Sequence, residues 1–302
     1  MINNANFFTS HITDLHTMGH VPAWMDQVLF IIQLICSVIS VSAAIPQVIK
    51  VLKEKRVGNV SYASFWVWHY GSFCWVAFEA FAPGIFQFPN GSYFSSYLIS
   101  FVADMTSLVI NGILLIMLYY YNPNLIKKKS IRAYGLITLN WILMIVFICI
   151  HFTTFQTEHF MNGVYYPETH HVVRFSQTAA TVFSLLCPAL TVTWLIPQLI
   201  KSYKYAKWDG VSVWTFILLF IINCLWLFWY SVSISQQVIL LGNKGQYGEM
   251  AGGLVWQLIY FATVIAQIVG YTLNKRKLKQ QAAVRTWLFA TIRARNTRCI
   301  DG

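Results

Sequence analysis

Seven apolar stretches constrain this chain more than any other feature. They fall at 27–52, 61–82, 97–120, 132–155, 176–200, 212–236 and 250–274. Each is about 20 residues or more, which is what a helix needs to cross a bilayer core of roughly 30 Å. Backbone facing lipid finds no water to bond, so such stretches must close their hydrogen bonds internally and fold as helices. Composition agrees, because 57% hydrophobic and 10% charged residues lie far from the roughly 25% charged of soluble domains. The expected fold is an all-α membrane protein with seven transmembrane helices.

The net charge of +11 would suggest a nucleic-acid binder in a soluble chain, but its distribution says otherwise. Lys50, Lys53, Lys55 and Arg56 follow the first span, Lys127, Lys128, Lys129 and Arg132 separate the third and fourth, and Lys201, Lys204 and Lys207 follow the fifth. The tail from Lys275 to Arg298 is basic throughout, while the opposite loops carry only Arg174 and Lys244. Positive residues stay on the cytoplasmic side. The N-terminus is therefore expected outside and the C-terminus in the cytoplasm, with the basic face toward anionic lipid and not nucleic acid. Residues 1–26 are polar and lack the basic flank and short apolar core of a signal peptide, so they read as a retained segment.

One unit is written twice. Ile45-Pro46-Gln47 returns as Ile196-Pro197-Gln198, and the same offset of 151 residues carries Lys50 to Lys201, Val60-Ser61 to Val211-Ser212, Phe65 to Phe216 and Trp75 to Trp226. The repeat divides the seven spans as three, one and three. An odd number of helices separates the copies, so both run the same way through the membrane, a parallel duplication about an axis along its normal. The expected organisation is an extracytoplasmic segment (1–26), a first triple-helix bundle (27–120), a linker with the fourth helix and an outer loop (121–175), a second bundle (176–274) and a basic cytoplasmic tail (275–302).

Two Pro-Gln dipeptides, at the cytoplasmic ends of the first and fifth of seven helices, resemble the PQ-loop superfamily. That group includes SWEET and SemiSWEET sugar carriers, cystinosin-like amino-acid exporters and the KDEL receptor. The resemblance covers 27–274 and implies two triple-helix bundles around a central site, with Pro46 and Pro197 as hinges for alternating access. In SWEET carriers a tryptophan from each bundle lines the sugar site, which the resemblance assigns to Trp75 and Trp226. It further implies an asparagine from the third and seventh helices. Asn111 is available in the third, but the seventh has none before Asn274, leaving Gln257 and Tyr260 as substitutes. That departure makes room for a zwitterionic, cationic or vitamin-like solute beside a sugar or amino acid.

The residues support their own reading. Proline inside a helix removes a hydrogen bond and kinks it, whether as a fixed bend or as a hinge. Gln47 and Gln198 need partners at membrane depth, either the carbonyl freed by the neighbouring proline or a substrate. Gln33, Ser37, Ser40 and Gln47 form one stripe of the first helix, matched by Ser184, Pro188, Thr191 and Gln198, facing a pocket or a close helix contact. In the second helix of each unit Ser72, Trp75 and Glu79 share a face, with counterparts Asn223, Trp226 and Tyr230. A polar group one turn from an indole suits a small polar ring. Trp66, Trp68 and Trp214 read instead as interfacial belt residues. Two acids fall inside spans, where burial is costly and marks function. Asp104 lies on a stripe with Ser100, Ser107 and Asn111, as a proton-coupling group or a partner of Asn or Ser; Glu79 is a second candidate, or reaches the headgroups.

The remaining signals are weaker. His159, His170 and His171 with Glu158 and Glu168 crowd one outer loop without ligand spacing, so no metal site is assigned. His69 sits inside the second span, Asn90-Gly-Ser reads as a turn, and Trp287, Leu288 and Phe289 suggest an interfacial helix in the tail. No disulfide is expected, since Cys36, Cys74, Cys149, Cys187 and Cys224 lie in apolar runs. The expected function is an integral-membrane carrier for a small polar solute in the plasma membrane or an acidic organelle, without a cofactor, its oligomeric state open. A KDEL-receptor-like sorting receptor is the alternative. An intramembrane enzyme is not expected, for want of a nucleophile and base or a paired-acid motif on facing helices.

Overall fold

The computed structural model describes residues 23–81, 92–122, 124–157, 160–161, 164–165, 177–208, 210–241 and 248–298. The described residues are helical apart from short connections and a two-residue antiparallel ladder, β1 (Phe160–Met161) with β2 (Val164–Tyr165). Residues 1–22, Asn90-Gly91, Glu158 and His159, the loop bearing Glu168, His170, His171 and Arg174, and Lys244 lie outside them.

The helices are α1 (Ala23–Ala43), α2 (Ile45–Glu54), α3 (Tyr62–Phe81), α4 (Ser92–Tyr120), α5 (Lys127–Thr157), α6 (Gln177–Thr193), α7 (Leu195–Tyr205), α8 (Val213–Leu241) and α9 (Gly248–Arg298). They form seven rods, because α1–α2 and α6–α7 are each one helix interrupted beside the Pro-Gln dipeptide. Pro46 has no N–H to return to Ser42, and its ring crowds that carbonyl, so the chain breaks at Ala44 and restarts with Pro46 in the first turn of α2. The second break falls at Trp194, ahead of Pro197.

The repeat holds in fine detail. Both broken helices end on a non-glycine residue in the left-handed region, Lys55 and Ala206, each with φ of 49°, at positions related by the same offset. For an L-residue that conformation costs about 1–2 kcal/mol, so its recurrence marks a backbone held by its surroundings. The second helix of each copy then begins at Tyr62 and Val213. Packing repeats too. In each copy the third helix packs on the first (α1 with α4, α6 with α9) and on the second (α3 with α4, α8 with α9). Each first helix also lies along the second helix of the other copy, α1 on α8 and α6 on α3. α5 packs on α3 and α4.

Among the described residues six helices are long and apolar enough to cross a membrane. The expected second span, α3, is not one of them, although its 20 residues give about 30 Å of helix. The reason lies in its composition: Ser64, His69, Ser72 and Glu79 are buried within the protein, so this helix meets protein where the others meet lipid. Outward faces carry Val38, Ile49, Ile142, Ile145, Ile200 and Phe228, all exposed, as a lipid-facing surface requires. One apolar cluster, from Cys36, Phe65 and Leu114 to Trp194, Phe216 and Val264, spans both copies. A smaller one around Val76, Phe101, Leu108 and Met144 fixes α5 against α3 and α4.

The tail continues the last helix: α9 runs unbroken from Gly248 to Arg298, 51 residues, and carries Trp287, Leu288 and Phe289.

Candidate functional site

The two Pro-Gln motifs meet across the molecule. Gln47 is fully buried; its Oε1 accepts from the Ser212 backbone N–H at 2.7 Å and its Nε2 donates to the Gly210 carbonyl at 3.2 Å. Gln198 does the same in reverse. Its Oε1 accepts from the Ser61 N–H at 2.7 Å and its Nε2 donates to the Asn59 carbonyl at 3.1 Å, with a further bond to Ser202 Oγ at 3.0 Å. Each glutamine thus binds the loop of the other copy, not the carbonyl freed beside its own proline. Lys201 Nζ donates to the Val60 carbonyl at 2.6 Å, and Asn59 Nδ2 to the Lys207 carbonyl at 3.1 Å. The loops touch so closely that a Cβ at Gly210 would collide with the Asn59 carbonyl, which is why glycine stands there.

Behind this reciprocal latch lies an aromatic plug. Trp68 and Trp194 stack at 4.3 Å with planes 19° apart, Phe65 packs on Trp194 at 5.8 Å, and Trp194 Nε1 donates to Tyr260 OH at 3.0 Å. Trp68 is buried, which corrects its assignment to an interfacial belt. Trp214 is exposed, as a belt residue should be. Trp66 hydrogen-bonds Tyr119 OH at 3.0 Å.

Beyond the plug, α1, α3, α4, α6, α8 and α9 enclose a cavity of about 310 Å³. Of the residues singled out in sequence, Ser72, Trp75, Glu79, Asp104, Trp226, Gln257 and Tyr260 line it together, joined by Gln33, Ser37 and Ser40 of the first stripe and by Pro188 and Thr191 of its counterpart. Asn111 and Asn223 are not among the lining residues. Asn111 stands behind the wall and donates to Ser72 Oγ at 3.3 Å, so it orients a lining hydroxyl. Asn223 Nδ2 donates to the Leu219 carbonyl of its own helix at 2.7 Å. Pro46, Pro197, Gln47 and Gln198 stand outside the cavity, at the latch. His69 is buried among aromatics, with Trp66 edge-on at 5.9 Å, and does not line it.

The acids end up elsewhere than expected. Glu79 is buried and lines the cavity together with Asp104 of the facing helix α4. Two ionised carboxylates only accept, so a hydrogen bond between these two groups would need a proton on one of them. A paired-acid arrangement on facing helices, not foreseen from the sequence, is therefore present. Next to it Gln33 Nε2 donates to Ser100 Oγ at 2.7 Å, tying α1 to α4. Sequence reasoning also missed Trp194 and Trp229 as lining residues. Trp229 lies one turn from Trp226 and was legible from that spacing, whereas nothing local marks Trp194.

Two comparisons with known proteins bear on this arrangement. No curated protein matches the chain. The family model described as PQ loop repeat matches residues 28–87, which run from the first helix across its Pro-Gln break to just past α3. The chain is thus a multi-pass integral membrane protein that is similar to a PQ-loop repeat over residues 28–87.

Proposed function

We propose that the protein is a carrier that moves a small polar solute across its membrane by alternating access. The observation that carries this reading is the cavity between the two copies, closed at its Pro-Gln end by the plug and the latch. A volume of about 310 Å³ suits a small solute, at the low end of the roughly 300–1,000 Å³ of ligand pockets. In this reading the two copies form parallel triple-helix bundles joined by α5, with the N-terminus outside and the latch at the cytoplasmic face. Pro46 and Pro197 separate each latch-bearing segment, α2 or α7, from the helix that lines the cavity, so the segments swing as the latch opens. Four cross-copy glutamine hydrogen bonds hold it, each worth a net ~0.5–1.5 kcal/mol, a total of about 2–6 kcal/mol. That favours the closed form yet leaves opening within reach of a solute binding the two forms differently.

The Glu79–Asp104 pair is the proton-coupling site of this reading, since a solute approaching it competes with a proton bound there. Counterflow in proteoliposomes across sugars, amino acids, vitamins and amines, with and without a pH gradient, tests the proposal. Exchange of at least one class supports it, and exchange of none favours a sorting receptor. Asp104→Asn is expected to abolish gradient-driven accumulation while leaving exchange; unchanged accumulation removes Asp104 from the coupling role.

A further inference from the structure

We propose that the gate between the cavity and the latch is one-sided: it is the Trp194 indole, carried on the break in the second copy's first helix, while the matching break in the first copy carries no gate. This deepens the carrier reading and rests on its alternating access. Pro197 has no N–H to return to Thr193, so the helix is interrupted at Trp194 and α7 restarts behind it. A side chain at such an interruption moves whenever α7 changes its angle to α6. Trp194 is buried and lines the cavity, so a bend there alters the cavity floor.

The two copies differ at this point. The offset of 151 residues sets Ala43 against Trp194 and Leu219 against Trp68, and all four residues line the cavity. The helix crossings that bear them are equivalent, α6 on α3 and α1 on α8, yet only the first is filled by stacked rings. There Trp194 and Trp68 lie 4.3 Å apart with planes 19° from parallel, and Phe65 closes on Trp194 at 5.8 Å. At the second crossing the matching positions hold an alanine and a leucine, and the residue at the break itself is Ala44. A bend at Ala44 shifts a methyl group. A bend at Trp194 shifts an indole across the cavity floor.

Two contacts of different kinds hold this indole. The stack on Trp68 reaches the other copy, and its attraction is lost when the two copies part. The hydrogen bond from Trp194 Nε1 to Tyr260 OH, at 3.0 Å, stays within the second copy, because α9 is that copy's third helix. A buried indole N–H is unfavourable without an acceptor, so this bond fixes the direction in which Trp194 points and aims it at Trp68. Tyr260 is therefore a positioning residue for the gate, and it lines the cavity as well. Both copies can bend at their prolines, but only the bend at Trp194 removes the barrier above the latch.

The test places a cysteine at Ser40, which lines the cavity, in the full chain freed of its other cysteines. Sealed vesicles with the Pro-Gln face outward receive a small impermeant methanethiosulfonate, and the labelling rate is read. Latch and plug lie in series, so weakening the plug multiplies the rate whatever the latch does. Trp194→Leu is expected to speed labelling at least ten-fold. Tyr260→Phe, which keeps the ring and removes the acceptor, is expected to speed it at least three-fold. Leu219→Ala and Phe216→Leu, the latter at the counterpart of Phe65, are expected to stay within two-fold of the parent. Labelling from the opposite face is expected to be unchanged in all four, and thermal midpoints check their folding; if Trp194→Leu does not fold, Tyr260→Phe carries the comparison. Equal acceleration at both crossings, or none from either Trp194→Leu or Tyr260→Phe, overturns the inference. Counterflow on the same parent chain separates the two readings. The expected labelling pattern without exchange of any solute leaves the one-sided gate standing and removes the carrier, whereas exchange with equal acceleration at both crossings does the reverse.

Discussion

Replacing Gln47 by methionine keeps most of the side-chain volume and removes both latch bonds, to the Ser212 N–H at 2.7 Å and the Gly210 carbonyl at 3.2 Å. Both groups belong to buried residues, so water does not replace the lost partner without opening the loop. Leaving one buried polar group unpaired costs about 1–3 kcal/mol, and two together about 2–4 kcal/mol, allowing for partial relaxation. At roughly 1.4 kcal/mol per tenfold change, the 210–212 loop should open about 30- to 700-fold more often. Hydrogen–deuterium exchange resolves this by position. The loss of protection is expected at Ser212, 165 residues from the mutation, with a lesser change at Asn59–Ser61. Gln198→Met is expected to give the mirror result, exposing Ser61 and sparing Ser212. If Gln47→Met loosens only its own loop at 57–61, the crossed assignment of the two glutamines is wrong.

Three further outcomes check other parts of the structure. A Cβ added at Gly253 would lie about 2.5 Å from the Tyr230 ring, so Gly253→Ala should push that ring into the cavity, costing about 1–3 kcal/mol as overpacking and raising the KM for exchange more than it lowers the thermal midpoint. Trp194→Phe removes the donor to Tyr260 and part of the stack on Trp68; a loss of about 1–3 kcal/mol is expected by thermal unfolding, together with faster exchange of amides around Phe65. A cysteine at Lys128, placed in an otherwise cysteine-free chain, is expected to react with impermeant maleimide only after permeabilisation, and labelling of intact cells would reverse the proposed orientation.

How much of this was legible in the sequence depended on whether a signal was local. The starts of α3 and α8 followed from Val-Ser at 60–61 and 211–212, because the shift from basic loop to apolar run is a property of adjacent residues. The kinks followed from Pro46 and Pro197 for the same reason. The far end of α9 was missed because hydropathy stops at Asn274, while helix propensity does not: the lysines, glutamines and alanines that follow are good helix formers. The site was half legible. Helical spacing put Ser72, Trp75 and Glu79 on one face, and Asp104 with Ser107 on another. It could not say that the two faces meet at a common depth, which requires the rotation and register of α3 against α4. Nor could it show that Trp68 finds Trp194 rather than headgroups, since the two are 126 residues apart and only the packing of α6 on α3 joins them.

The crossed glutamines carry one more consequence. Each copy presents both parts of a clasp, a glutamine that grips and a loop that is gripped, and neither part reaches its own mate within the copy. A single copy freed from the rest of the chain would be complementary to another like itself, and two of them could pair about a twofold axis. Substitutions in one loop are therefore answerable to a side chain in the other half, so the halves cannot drift independently where they clasp. Ser72 against Asn223 and Glu79 against Tyr230 lie beyond that constraint, and there the two copies have diverged.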